Sequence, residues 1–92
     1  MKLYKEIENS FPIIEKLFTK ETLSEFKNAA LSDLCLYNFG LGTFIRNNLL
    51  SSDKSILYRL FLKNGMEHTD EMASFIIKLY HYNLSKTTEN IK

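Results

Sequence analysis

The chain has 92 residues, 45% of them hydrophobic and 25% charged, and 12 basic against 11 acidic side chains leave a formal charge of +1. That is enough chain for one domain around one core, and it is too apolar for intrinsic disorder. It is also too nearly neutral to hold a polyanion or an acidic membrane through a global field.

Cys35 is the single cysteine, which excludes an intrachain disulfide. Between Leu34 and Leu36 it reads as a buried thiol in a reducing, cytoplasmic setting. The opening Met1-Lys2-Leu3-Tyr4-Lys5-Glu6 lacks the apolar h-region of a signal peptide. No apolar run approaches the ~20 residues that span a bilayer, so no membrane partner is expected.

The first elements are helical. Leu3, Ile7, Phe11, Ile14, Leu17 and Phe18 fit one apolar face if the chain bends near Pro12, the only proline. Proline lacks an N–H and disfavours helix at the residue before it, so a break at Ser10-Phe11 and a short second helix over 12–18 are predicted. Thr19 then serves as N-cap for a helix over 20–29 that turns Leu23 and Phe26 inward.

Ser32-Asp33 reads as the start of a central helix. Leu34, Tyr37, Leu41, Phe44, Ile45 and Leu49 recur at three and four through both Gly40 and Gly42, so the helix is predicted to run unbroken to Asn48. Glycine in a helix interior costs roughly 1 kcal/mol relative to alanine. The two glycines are therefore structural, and they mark a close helix crossing.

Ser51-Ser52-Asp53 offers the next cap. The pairs Ile56-Leu57 and Leu60-Phe61 mark a helix over 54–64, with Gly65 as its left-handed terminator. Thr69 with Asp70 and Glu71 caps a last helix that buries Met72, Phe75, Ile76, Leu79 and Tyr80. Periodicity is lost from Ser85, so residues 85–92 read as a frayed tail on a domain spanning 1–84. Alternating strand patterns and hairpin signals are missing. The predicted fold is all-α, a compact bundle of four to five short helices.

The stretch Asn38-Phe39-Gly40-Leu41-Gly42-Thr43-Phe44-Ile45-Arg46-Asn47-Asn48, with His68-Thr69-Asp70-Glu71-Met72-Ala73 later, resembles a small family of uncharacterised bacterial and phage helical domains. That family reads His-Phe-Gly-Leu-Gly-x-Trp-Ile-Arg-Asn-Asn and then His-Pro-Asp-Asp-Met-Ser. The resemblance covers residues 23–84 and implies a compact helical fold and a paired importance of Arg46 and the turn from His68 to Met72. The departures are Asn38 for histidine, Phe44 for tryptophan, Thr69 for proline and Ala73 for serine, together with a shortened loop after the arginine.

Chemical motifs are few. Gly40-Leu41-Gly42 lacks the spacing of a dinucleotide loop and the Lys-Ser/Thr of a P-loop. His68 and His81 are too few for zinc, and no cofactor is implied. His68 reads as a packed helix-entry residue and His81 as a partly exposed one.

Arg46 has two readings. In one, its guanidinium pairs with Asp70 or Glu71 on the next helix. In the other, Arg46 with Asn47 and Asn48 grips phosphate or carboxylate. Tyr58 and Tyr82 fall off the apolar stripes and are candidate interface anchors, while Lys54, Arg59 and Lys63 form a small basic strip.

The expected function is therefore a non-enzymatic protein–protein interaction module with a larger partner. A narrower form is a phage or mobile-element protein that inhibits or regulates a host defence complex. A nucleotide or nucleic-acid ligand at Arg46 and Asn47 is the alternative, nucleic acid is not favoured, and a homodimer is left open.

Overall fold

The computed structural model describes residues 2–51 and 54–91, with side chains through Lys86. The chain is all-α, with no strand among the described residues. Helix α1 spans Lys2–Glu15 and α2 Lys20–Lys27; a 3₁₀ helix spans Leu31–Asn38; then come α3, Leu41–Asn48, α4, Ile56–Lys63, and α5, Thr69–Ile91. The long α5 is the post of the fold, packed by α3, the 3₁₀ helix, α2 and α1, while α1 also lies against α4.

Helix α1 runs straight through Pro12, against the predicted break at Ser10-Phe11. Leu3, Ile7 and Ile14 stand on one stripe and are buried, whereas Pro12 and Glu8, whose carbonyl loses its helical donor, are exposed. Three buried aliphatic side chains stabilise by roughly 1.5–3 kcal/mol each, which outweighs a proline cost of about 3 kcal/mol. Ser10, also on the buried stripe, donates to the Ile7 carbonyl at 2.6 Å.

Helix α2 begins as predicted. Thr19 Oγ1 accepts from the Thr22 N–H at 3.1 Å and Thr22 Oγ1 accepts from the Thr19 N–H at 2.8 Å, a reciprocal cap. Helix α4 is capped one turn later than predicted: of the expected residues, Ser52 and Asp53 lie outside the described ones, and Ser55 does the work. Its Oγ accepts from the Tyr58 N–H at 3.2 Å and donates to the Leu49 carbonyl at 2.6 Å, tying α4 to the end of α3.

Gly65, at φ +89°, closes α4 as predicted. The Met66 N–H reaches the Phe61 carbonyl at 3.0 Å and the Gly65 N–H the Leu62 carbonyl at 3.1 Å, the paired bonds that only a left-handed residue permits at this position.

The core between these helices has an aromatic end. Phe26 stacks on Tyr80 at 5.7 Å and meets Tyr37 and His81 edge-on at 4.8 and 5.5 Å, with Phe11 and Phe18 closing over Tyr80. His81 is buried here, not partly exposed as its sequence neighbours suggested, and its Nε2–H donates to the Ala29 carbonyl at 3.0 Å. That bond fixes the end of the α2 connection on α5.

The start of α5 also differs by one residue. The His68 carbonyl accepts from the Met72 N–H at 3.1 Å, which makes His68 the cap position and Thr69 the first helical residue. The backbone of α5 stays helical as far as Ile91. The predicted frayed tail falls, from Thr87 on, outside the described side chains.

Candidate functional site

The central helix predicted over 32–48 is two elements, a 3₁₀ helix and α3, with a turn at Phe39-Gly40 between them. The 3₁₀ geometry sets side chains three apart on one face. Leu34 and Tyr37 accordingly turn toward the core, while Leu36 stays 64% exposed. Cys35 is exposed for the same reason, correcting the buried thiol expected from its leucine neighbours.

The turn projects Phe39 outward. Its ring is 83% exposed, the highest value among the large hydrophobic side chains described. The turn that carries it is nevertheless held: Thr43 Oγ1 donates to the Phe39 carbonyl at 2.8 Å, Arg46 Nη2 donates to Thr43 Oγ1 at 3.1 Å, and Arg46 Nη1 meets Asp70 Oδ1 at 3.3 Å. A polar relay thus runs from the exposed turn, along α3, to the first turn of α5. The pairing of Arg46 with Asp70 is the one foreseen from charge and helix ends, and both helix dipoles favour it.

The two glycines have separate causes, and neither is a helix crossing. A Cβ on Gly40 would meet nothing within 4 Å, so Gly40 belongs to the turn. A Cβ on Gly42 would touch Arg46 Nη1 at 3.4 Å and Asn38 at 3.6 Å. Both are ordinary contact distances, so buried Gly42 lies against the Arg46 guanidinium and Asn38 without its bareness being required there.

Asn38, Phe39, Thr43, Arg46 and Asp70 line a cleft of about 300 Å³. Asn38 and Asp70 also line a neighbouring cleft of about 450 Å³ along α5, with Met66, Glu71, Ser74, Phe75 and Lys78. Ser74 Oγ donates to Asn38 Oδ1 at 3.4 Å between the two. Along this seam two bases, Arg46 and Lys78, flank two acids, Asp70 and Glu71.

The chain belongs to the DUF6794 family. This is a domain of unknown function whose profile matches residues 5–84, so the match takes in α1 as well as both signature segments. Comparison with curated proteins and with solved structures found no match.

In this DUF6794 domain only some of the predicted site residues converge. Arg46 and Asp70 come together; His68, two residues before Asp70, is exposed at the helix entry and not packed there as expected. Asn47 is exposed and does not line the Arg46 cleft, and Asn48 donates to the Phe44 carbonyl at 3.0 Å within its own helix. Tyr58 is half-buried against the core, Arg59 is exposed on α4, and Tyr82 lies toward the far end of α5, beside Tyr4 and Phe11.

Phe39, Thr43, Asn38 and Ser74 were missed as site residues. Phe39 carried a signal: it is the aromatic off the apolar stripe, directly before a glycine.

Among the described residues, no group of three or more His, Cys, Asp or Glu side chains is placed to hold a metal ion. No described helix is long and apolar enough to cross a membrane.

Proposed function

We propose that this domain is a non-enzymatic protein-interaction module that engages a larger partner through Phe39 and the cleft beside it. The observation that carries the reading is the 83% exposure of Phe39 on a turn held by the Thr43 and Arg46 hydrogen bonds. An aromatic left exposed gains nothing from burial until a partner covers it, and one on a backbone already held loses little chain entropy on binding, which suits an anchor residue. Arg46 and Asp70 then form the polar rim that such anchors have around them.

A narrower form of the proposal is that the domain is of bacterial or phage origin and acts by inhibiting or regulating a host complex, including a defence complex. The resemblance of the Asn38–Asn48 and His68–Ala73 segments to the signature of such domains supports it. A phosphate ligand at Arg46 and Asn47 has less support, because Asp70 already neutralises the guanidinium and Glu71 adds a second negative charge to the adjoining cleft.

The test is affinity capture from the native host with three baits: wild type, Phe39→Ser, and Tyr4→Ser, which removes an exposed aromatic from α1 (48% exposed). The proposal expects a partner enriched by wild type and Tyr4→Ser and lost with Phe39→Ser. Equal capture by all three overturns it.

A further inference from the structure

Helix α5 buries one side in the core and leaves the opposite side open. Glu71, Phe75, Lys78 and Tyr82 are all exposed, Tyr82 at 59% and Phe75, expected from periodicity to be buried, at 37% with its ring edge-on to Phe61 of α4 at 5.9 Å. At 3.6 residues per turn the four fall within an arc of about 60°, and their spacing of four, three and four is that of a helix–helix seam. Neither Glu71 nor Lys78 forms an ion pair among the described residues, unlike Arg46 and Asp70 beside them.

The order along this stripe is acid, aromatic, base, aromatic, and it complements itself only when read in reverse. We infer that the α5 face is the interface of an antiparallel homodimer, with the two-fold axis passing through Phe75. Glu71 lies four residues before Phe75 and Lys78 three after, about 6 and 4.5 Å along the helix. Across the axis each Glu71 therefore sits within about 1.5 Å axially of Lys78 of the second copy, a mismatch that a lysine side chain spans.

Seven residues to either side, Tyr82 meets exposed His68 of the second copy, and Met66 and Phe75, which line one cleft, supply the apolar centre. A parallel pairing would set Glu71 on Glu71 and Lys78 on Lys78, so charge alone selects the antiparallel arrangement. One helix face per protomer makes a small interface, of the weak and transient class. The interface does not involve Phe39, but it adjoins the partner surface, because Asn38 and Asp70 line both the cleft beside Phe39 and the cleft that the second copy covers.

Charge exchange tests the inference by sedimentation velocity from about 10 µM to 1 mM. Wild type should shift from monomer to dimer across that range. Glu71→Lys alone faces two lysines with two lysines, and Lys78→Glu alone faces two glutamates with two glutamates, so each should weaken self-association roughly tenfold or more. An equimolar mixture of the two single variants restores both pairs and should form a heterodimer at least as tight as wild type. All changed side chains are exposed, and circular dichroism at matched concentration confirms that each variant is folded. A wild type monomeric at 1 mM overturns the inference, and so do single variants that dimerise like wild type or a mixture that stays monomeric.

Discussion

Replacing Tyr80 with Phe should stabilise the domain, and by more as the pH rises. Tyr80 is only 2% exposed, and its hydroxyl is buried with no hydrogen-bond partner among the rings of Phe11, Phe18 and Phe26. An unsatisfied buried hydroxyl costs about 1–3 kcal/mol, so its removal, with the ring retained, should contribute about 1–2 kcal/mol near neutral pH. For a domain of this size each 1 kcal/mol corresponds to about 4–8 °C in Tm.

The alkaline arm is independent of that gain. Burial, with a smaller contribution from the Glu15 carboxylate, pushes the phenol from 10.0 up to about 12. Between those values the unfolded chain releases the proton first, so stability is fully present below about pH 10 and is lost as the pH approaches 12. From pH 8 to 10.5 the linkage is on the order of 1 kcal/mol.

Urea unfolding of both proteins at the two pH values measures this directly, since titration of every other group cancels in the difference. A Tyr80→Phe variant less stable than wild type at pH 8 would show that the hydroxyl is partnered. A difference that does not grow at pH 10.5 would refute the raised phenol.

Arg46→Met and Asp70→Asn should couple by about 0.2–1 kcal/mol in a double-mutant cycle, because the pair is 3.3 Å apart but Asp70 is 83% exposed; strictly additive effects would remove the contact. Cys35 should react with a thiol reagent in the native protein at nearly the rate of a free thiol, given its exposure, and protection until unfolding would place it in the core after all. Gly65→Ala should cost about 1–2 kcal/mol at its φ of +89°, while Gly40→Ala, with nothing within 4 Å of its Cβ, should stay within about 0.5 kcal/mol. A larger loss at Gly40 in thermal unfolding would reveal a close neighbour there.

The buried set was largely legible because periodicity survives errors in element boundaries. Leu34, Leu41 and Ile45 are buried and Tyr37, Phe44 and Leu49 pack against the core, although the single helix they were read from is a 3₁₀ helix and an α-helix joined at a turn. Sequence neighbours are a poorer guide than period: Cys35 lies between Leu34 and Leu36, yet on a 3₁₀ helix a residue next to Leu34 is turned away from it. Pro12 was misread because local propensity was weighed without the burial of Leu3, Ile7 and Ile14 on the far side of the helix. His81 is flanked by Tyr80 and Tyr82 in sequence, and only the end of α2, reaching across to offer the Ala29 carbonyl, makes it a core residue.

The Arg46–Asp70 pair was readable because helix ends, charge and spacing agreed. The exposed ring of Phe39 was signalled only by its place off the apolar stripe before Gly40, because that stripe runs on through the turn that projects it.

The account rests on Phe39 as the anchor of a partner surface, and the decisive measurement is the dissociation constant of the captured partner for wild type, Phe39→Ala and Arg46→Met at 50 and 300 mM salt. The account predicts a loss of tenfold or more for Phe39→Ala, about 1.4 kcal/mol or greater, with little change on adding salt. Wild-type affinity in Phe39→Ala, together with a steep salt dependence that disappears in Arg46→Met, would contradict it and make the guanidinium the ligand-binding group.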